Sequence, residues 1–169
     1  MSEKQEVQKQ FSIQKLYVKD VSFESPATPK SFAFKQWSPK VDLNLTNTHS
    51  LVEGDLYEAV LRITATVSHQ DSTACLIEVQ QAGLFNIAGF GDEERAYLLG
   101  SQCMNILFPY AREVMSDMTT RGGFPPLILA PVNFEALYQQ HLQQKEKQAE
   151  ATTETGAPTD AATEADVKH

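Results

Sequence analysis

The chain has 169 residues and a formal net charge of −8, from 14 basic and 22 acidic side chains. This length indicates one domain with tails, and 41% hydrophobic residues suffice for a core. An acidic chain repels nucleic acid and anionic membranes, so neither is expected as the main partner, and a basic protein is favoured instead. The chain lacks a run of about 18 apolar residues, so no segment is predicted to span a membrane.

Both ends of the chain are predicted to be disordered. Residues 1–10 carry no apolar run of the kind that a secretory signal needs. Residues 146–169 contain almost no large apolar side chain, so burial cannot offset the entropy lost on ordering. The predicted domain therefore spans residues 11–145. With no signal, the well-separated Cys75 and Cys103 predict reduced thiols and a cytoplasmic location.

The first half of the domain alternates apolar and polar residues with a period of two, which is typical of strands buried on one face. Four strands are predicted, at Phe11–Glu24, Val41–Leu45, Tyr57–Val67 and Cys75–Gln80. Turn-like links between the last three, including 46–54, favour antiparallel hairpins. In the first strand the alternation fails between Lys15 and Lys19, which predicts a bulge there or burial of both faces.

After the fourth strand the apolar residues recur with a helical period. Asp92 is predicted to cap a long helix that Pro109 kinks or divides, and Gly122 after a basic last turn is predicted to end it. Asn133 is predicted to cap a second helix that reaches Leu142. The sequence thus predicts an α+β domain, with a four-stranded antiparallel sheet followed by a long kinked helix and a shorter C-terminal helix.

Seven aromatic side chains fall on segments rich in glycine and proline, which are predicted to be ordered loops. Each ring belongs either to the core or to an exposed apolar binding surface, and seven exceed what one sheet and two helices need. They are Phe32, Phe34, Trp37, Phe85, Phe90, Phe124 and Phe134. The chain offers no convergent acids, bases or nucleophiles and no metal-ligand spacing. Binding is therefore predicted rather than catalysis, with no metal or cofactor.

Acidic residues form a second pattern on the predicted strands. Asp20 and Glu24 share one parity on the first strand, and Glu78 lies on the fourth with Leu76 on the same face. Such a set is either a solvated sheet face or a surface that docks a basic partner.

Four segments of the chain resemble the SecB family of protein-export chaperones: LYVKDVSFESP, EVQQAGLFNIAGF, NILFPYARE and RGGFPPLILAPVNFEALY. The resemblance covers Phe11 to Leu142. It implies a cytoplasmic holdase, without ATPase activity or cofactor, that binds unfolded secretory precursors and delivers them to the SecA motor. It also implies a homotetramer assembled as a dimer of dimers.

The resemblance also assigns roles to particular residues. A client groove is implied along the crossover loop, the second strand and the loop between the helices, at Phe32, Phe34, Trp37, Val41, Leu43, Phe124 and Leu127. A surface that docks SecA, including its zinc-bearing C-terminal segment, is implied at Asp20, Glu24, Leu76 and Glu78. Positions that affect assembly are implied on the opposite face of the fourth strand, at Ile77, Val79 and Gln81.

Two other functions stay open from the residues alone. A small-ligand-binding domain or enzyme could use the same aromatic surface, and a closed pocket that binds a small molecule would favour it. A plain oligomeric assembly module could bury the rings between subunits, and failure to keep an unfolded client soluble would favour that alternative.

Overall fold

A computed structural model of the protein describes residues 8–33 and 35–154. These residues form one antiparallel sheet with helices on one of its faces. The strands are β1 (Gln10–Glu24), β2 (Lys40–Glu53), β3 (Leu56–His69) and β4 (Ser72–Ala88). Their order in the sheet is β1-β4-β3-β2, so β1 and β2 are its edges. The predicted fold class is confirmed.

The helices follow the sheet in the chain. They are α1 (Asp92–Tyr97), a π-helical turn (Leu98–Gln102), α2 (Cys103–Arg121) and α3 (Phe134–Glu154). The backbone stays helical at both junctions of the first three, which form one long helix. Pro109 lies within α2 and does not divide it; the departure from regular α-helical bonding is the π-helical turn. None of the helices in the described ranges is both long and apolar enough to cross a bilayer.

The helix ends follow the predicted signals with one exception. Gly91, not Asp92, is the N-cap of α1. Gly123 takes a φ of +83° just beyond α2, a left-handed conformation that glycine adopts without a steric penalty. The N–H of Ala136 donates to Asn133 Oδ1 at 3.0 Å, which confirms the cap of α3.

The ordered chain extends past both predicted domain boundaries. β1 begins at Gln10, and α3 continues into 146–154, because glutamine, lysine, glutamate and alanine are strong helix formers by local propensity alone. Residues 1–7 and 155–169 lie outside the described residues.

Two strands are longer than predicted. β2 continues through 46–53, where its polar residues suit an exposed edge strand. β4 continues to Ala88, so the stretch around Gly83 is strand rather than loop, and Phe85 is fully buried in it. Both hairpins are tight, and Gln70 and Asp71 join β3 to β4 with positive φ angles, as a two-residue turn requires.

β1 carries two bulges, one between Ile13 and Lys15 and one between Val18 and Asp20. This confirms the irregularity predicted in that part of the strand. A bulge adds one unpaired residue, so it reverses which face the following side chains point to. Because the second bulge undoes the first, Leu16 and Val18 lie on the same face as the apolar residues at both ends of the strand.

The core lies between the sheet and α2. Alternate residues of β3 and β4 face the helix and are fully buried, among them Leu61, Ile63, Ala65, Ile77 and Val79. α2 contributes the buried side chains Met104, Leu107, Ala111 and Met115. Cys75 and Cys103 are free thiols in this core. Burial raises the pKa of Cys75, and raises that of Cys103 to about 12, which suppresses the reactive thiolate.

We expect Ile77→Ala to lower the free energy of unfolding by about 2–5 kcal/mol, because it leaves a cavity under α2. Gln80→Ala is the matched control on the other face of the same strand and should change it by no more than about 0.5 kcal/mol. Urea unfolding at one fixed protein concentration measures both. Equal effects of the two changes would contradict the assignment of the faces.

Candidate functional site

Phe124, in the loop after α2, is buried among three other aromatic rings. Its ring centroid lies 5.2 Å from that of Phe32, 5.6 Å from Trp37 and 6.4 Å from Phe23. These rings come from the end of β1, from the crossover 25–39 and from the loop before α3. About half of the Phe32 side chain faces solvent, since this residue is 53% exposed. We call Phe23, Phe32, Trp37 and Phe124 the aromatic cluster.

Two glycines allow the loop to approach these rings. A Cβ on Gly122 would lie 2.1 Å from the ring of Phe23, and one on Gly123 would lie 3.1 Å from the ring of Phe32. The double glycine after α2 is therefore needed for ring contact as well as for ending the helix. The loop is fixed further along, where the N–H of Leu127 donates to Thr119 Oγ1 at 2.9 Å.

The crossover is held against the end of β3. The ring of Trp37 stacks on His69 with centroids 5.2 Å apart, and His69 Nδ1 lies 3.1 Å from the carbonyl oxygen of Ser38. This contact could not be predicted, because in the sequence His69 looks like an ordinary turn residue. Of the predicted client-binding residues, Phe32, Trp37 and Phe124 are brought together, while Phe34 lies outside the described residues.

A groove of about 560 Å³ lies between the edge strand β2 and the helix α3. Its apolar lining includes Leu45, Leu61, Phe134, Leu137 and Leu142. The predicted residues Val41 and Leu43 lie on the same face of β2 as Leu45, and Leu43 is exposed. The helical spacing of the α3 residues was the signal for this groove, but the sequence did not indicate what the helix faces.

The face of the sheet opposite the helices carries the predicted docking residues. Asp20 lies opposite Gln80, and Glu24 lies opposite Leu76. Paired residues share a face, as do alternate residues of one strand. The register therefore brings Asp20, Glu24, Leu76 and Glu78 onto one face, as the strand parity predicted.

Asp42 is a further carboxylate on this face that the sequence analysis did not single out. Asp42 lies opposite Thr66, which lies opposite Leu76 in turn, so Asp42 stands in the same row across the sheet as Glu24. Three strand spacings of about 4.8 Å place the backbones of Glu24 and Asp42 about 14 Å apart across the sheet. We call Asp20, Glu24, Asp42, Leu76 and Glu78 the acidic face.

Basic side chains on the same face neutralise part of its charge. Arg62 Nε lies 3.7 Å from Glu78 Oε1, and Thr64 Oγ1 donates to Glu78 Oε2 at 3.2 Å. These contacts orient the Glu78 carboxylate. They do not bury it, since the side chain is 30% exposed. A surface ion pair of this length is weak, so the carboxylate is free to accept a stronger basic partner.

Glu58 on β3 forms a second charged group near β1. Lys19 Nζ lies 2.7 Å from Glu58 Oε2, and the Tyr17 hydroxyl donates to Glu58 Oε1. The hydrogen bonds from Lys19 and then Tyr17 hold the pKa of Glu58 below its usual value, against the effect of burial. Burial, assisted by the Glu58 carboxylate, raises the pKa of Tyr17 to about 12. At neutral pH the group is therefore an ionised carboxylate held by two donors.

The positions predicted to affect assembly are buried in the interior of the protomer. Ile77 and Val79 are fully buried beneath α2, and Gln81 is 3% exposed. Such side chains cannot contact another subunit directly, so any effect they have on assembly must pass through the position of α2 or β1. The parity of β4 identified their face correctly; what the sequence did not show is that the chain's own helix covers it.

The chain matches a family model described as preprotein translocase subunit SecB, over residues 4–145. A protein-export protein SecB from Methylococcus capsulatus is 52% identical over 151 residues, which cover 89% of this chain and 97% of the relative. One from Nitrosococcus oceani is 53% identical over 140 residues, covering 82% of this chain and 85% of the relative.

A solved structure shares the fold. It is a SecB-like chaperone from Mycobacterium tuberculosis in complex with a peptide from the HigA1 antitoxin. The TM-score is 0.62 at 18% identity, over 72% of this chain and 90% of the other. The family model and the two close relatives show that the chain belongs to the SecB family of protein-export chaperones.

Proposed function

We propose that the protein holds unfolded export precursors against its aromatic cluster and its β2–α3 groove, and passes them to SecA through the acidic face. The observation that carries the proposal is the separation of an open apolar surface and a charged surface onto opposite faces of one sheet. Neither catalysis nor a cofactor is part of the proposal. The proposed compartment is the cytoplasm, in keeping with the two free, buried thiols.

The apolar surface suits an unfolded polypeptide. Phe32 offers an exposed ring on a buried aromatic base, and the β2–α3 groove continues the apolar surface beyond Val41 and Leu43. β2 is an edge strand, so its outer backbone groups are free to pair with an extended client. Such contacts depend on backbone and apolar area rather than on a particular client sequence.

Tight binding of a client requires several binding surfaces that act on the same polypeptide. At roughly 25 cal/mol per Å² of apolar surface, one buried client side chain contributes only a few kcal/mol at most, and ordering the client opposes it. An unfolded client that occupies equivalent surfaces on several subunits gains affinity through effective concentration. This argument supports the proposed homotetramer, a dimer of dimers.

The surface of the protomer also supports assembly. α2 packs chiefly on β3 and β4, and it leaves part of the helix-side face of β1 uncovered. Ile13, Val18 and Val21 on that face are between 40% and 47% exposed. Three exposed apolar residues along one face of a strand indicate an interface, and Tyr110 is a further exposed ring on α2.

The acidic face suits a small basic partner. Its four carboxylates provide long-range attraction, and Leu76 provides an apolar contact that loses water on binding. We propose that this partner is SecA, through its zinc-bearing C-terminal segment. The zinc then belongs to SecA and not to this chain.

For client binding, we expect Phe32→Ala to weaken the affinity for an unfolded polypeptide by about five- to thirtyfold, as for an aromatic residue central to an interface. Trp37 is the only tryptophan in the chain and lies in the aromatic cluster, so its fluorescence reports binding of a tryptophan-free client. Leu51→Ala, another exposed apolar residue of the sheet, is the control. If Phe32→Ala binds like the wild type, the cluster is not the client site.

For SecA docking, we expect Asp20→Asn with Glu78→Gln to weaken binding of the SecA segment by about tenfold at low salt and to flatten its salt dependence. Glu113→Gln with Asp117→Asn removes the same charge from α2 and should have little effect. Calorimetric titration at two salt concentrations compares the variants. Equal affinity of both double variants would reduce the acidic face to a solvated surface.

For assembly, we expect the wild type to sediment as a tetramer at micromolar concentration. Ile13→Asp should shift it towards smaller species, because it places an unpaired charge in a buried interface. Leu51→Asp is the control at a comparably exposed apolar residue near the β2–β3 turn. A monomeric wild type, or a tetramer that Ile13→Asp leaves intact, would contradict the proposal.

A further inference from the structure

The second bulge of β1 decides which way the acids of that strand point. Lys19 is the extra residue between Val18, opposite Gln81, and Asp20, opposite Gln80. After the first bulge, an unbroken alternation would turn Asp20 and Glu24 towards the helices. The bulge at Lys19 returns them to the face that carries Glu78.

Lys19 holds the bulge from the acidic side of the sheet. Its Nζ lies 2.7 Å from Glu58 Oε2, while Tyr17 donates to the other oxygen of the same carboxylate. Glu58 belongs to β3, so these contacts reach across β4 and tie the bulged edge strand to the centre of the sheet. Each partner is a charged or strongly polar group, and Glu58 is only 18% exposed in its side chain.

Gln81 holds the bulge from the helix side. Its Nε2 donates to the carbonyl oxygen of Tyr17 at 3.1 Å. Tyr17 lies just before the bulge that interrupts the pairing of β1 with β4. A buried amide at this position is costly unless it makes such a bond. Its presence among apolar neighbours is explained by the bulge it serves.

We propose that Lys19 and Gln81 are positioning residues for the basic partner, which they serve by fixing the bulge that presents Asp20 and Glu24 beside Glu78. The inference rests on the proposed docking of SecA at the acidic face. Neither residue needs to touch the partner. A loosened bulge lets Asp20 sample several positions, and binding must then order it again.

Lys19→Met separates positioning from simple electrostatics, because the two predict opposite signs. Removing a positive charge near the acidic face should strengthen the attraction of a basic partner if charge alone matters. Positioning predicts affinity for the zinc-loaded SecA segment about three- to tenfold weaker. Lys19→Arg keeps the ion pair and should restore most of the affinity. Gln81→Met removes the amide from the other side without changing charge and should also weaken binding.

Calorimetric titration measures the affinity of the SecA segment for the wild type, Lys19→Met, Lys19→Arg and Gln81→Met. Trp37 fluorescence with an unfolded client verifies that the opposite face is intact in each. Weaker binding by Lys19→Met, rescued by Lys19→Arg, supports the inference. Equal or tighter binding by Lys19→Met with an unaltered client affinity overturns it. If Asp20→Asn with Glu78→Gln also binds normally, the docking proposal fails as well; if only that variant is weakened, docking stands and the positioning role is wrong.

Discussion

The burial of one face of β4 under α2 is the constraint on which the other features of the protein depend. A strand directs alternate side chains to opposite faces, and β4 keeps its pairing with both neighbours in register over most of its length. Once Ile77 and Val79 are committed to the core, Leu76 and Glu78 must face away from it. A slip of one residue would bury Glu78 and expose Ile77, which costs several kcal/mol.

This constraint gives the protein two surfaces of different chemistry at the same end of the sheet. Phe23 packs into the aromatic cluster, and its neighbour Glu24 lies on the acidic face. The two surfaces are therefore separated by the thickness of one strand, and each is supported by the same backbone. A client and a basic partner can approach from opposite sides without competing for atoms. The bulges of β1 complete the arrangement, since they let an edge strand serve both faces.

Much of this arrangement could be predicted from the sequence. Alternation identified the strands and placed Asp20, Glu24 and Glu78 on one face, and Gly122 and Asn133 marked the helix ends. Two features could not be predicted, because they depend on contacts between distant residues: the burial of Val79 under the chain's own helix and the packing of Trp37 on His69. Helix formation beyond residue 145 has a different cause, since it follows from local helix propensity, which the scarcity of large apolar residues outweighed in the sequence prediction. The segment around Gly83 was wrongly predicted to be a loop, because glycine usually marks one. In the structure Gly83 lies within β4 and leaves room for the ring of Phe85.

The central claim is that the two faces bind two partners independently. It is tested most directly by measuring client affinity through Trp37 fluorescence, with and without a saturating concentration of the zinc-loaded SecA segment. Binding on opposite faces predicts a client dissociation constant that the segment changes by less than about twofold, together with a complex that contains both ligands. Displacement of the client in proportion to the segment would mean that they share a surface, and would contradict the account.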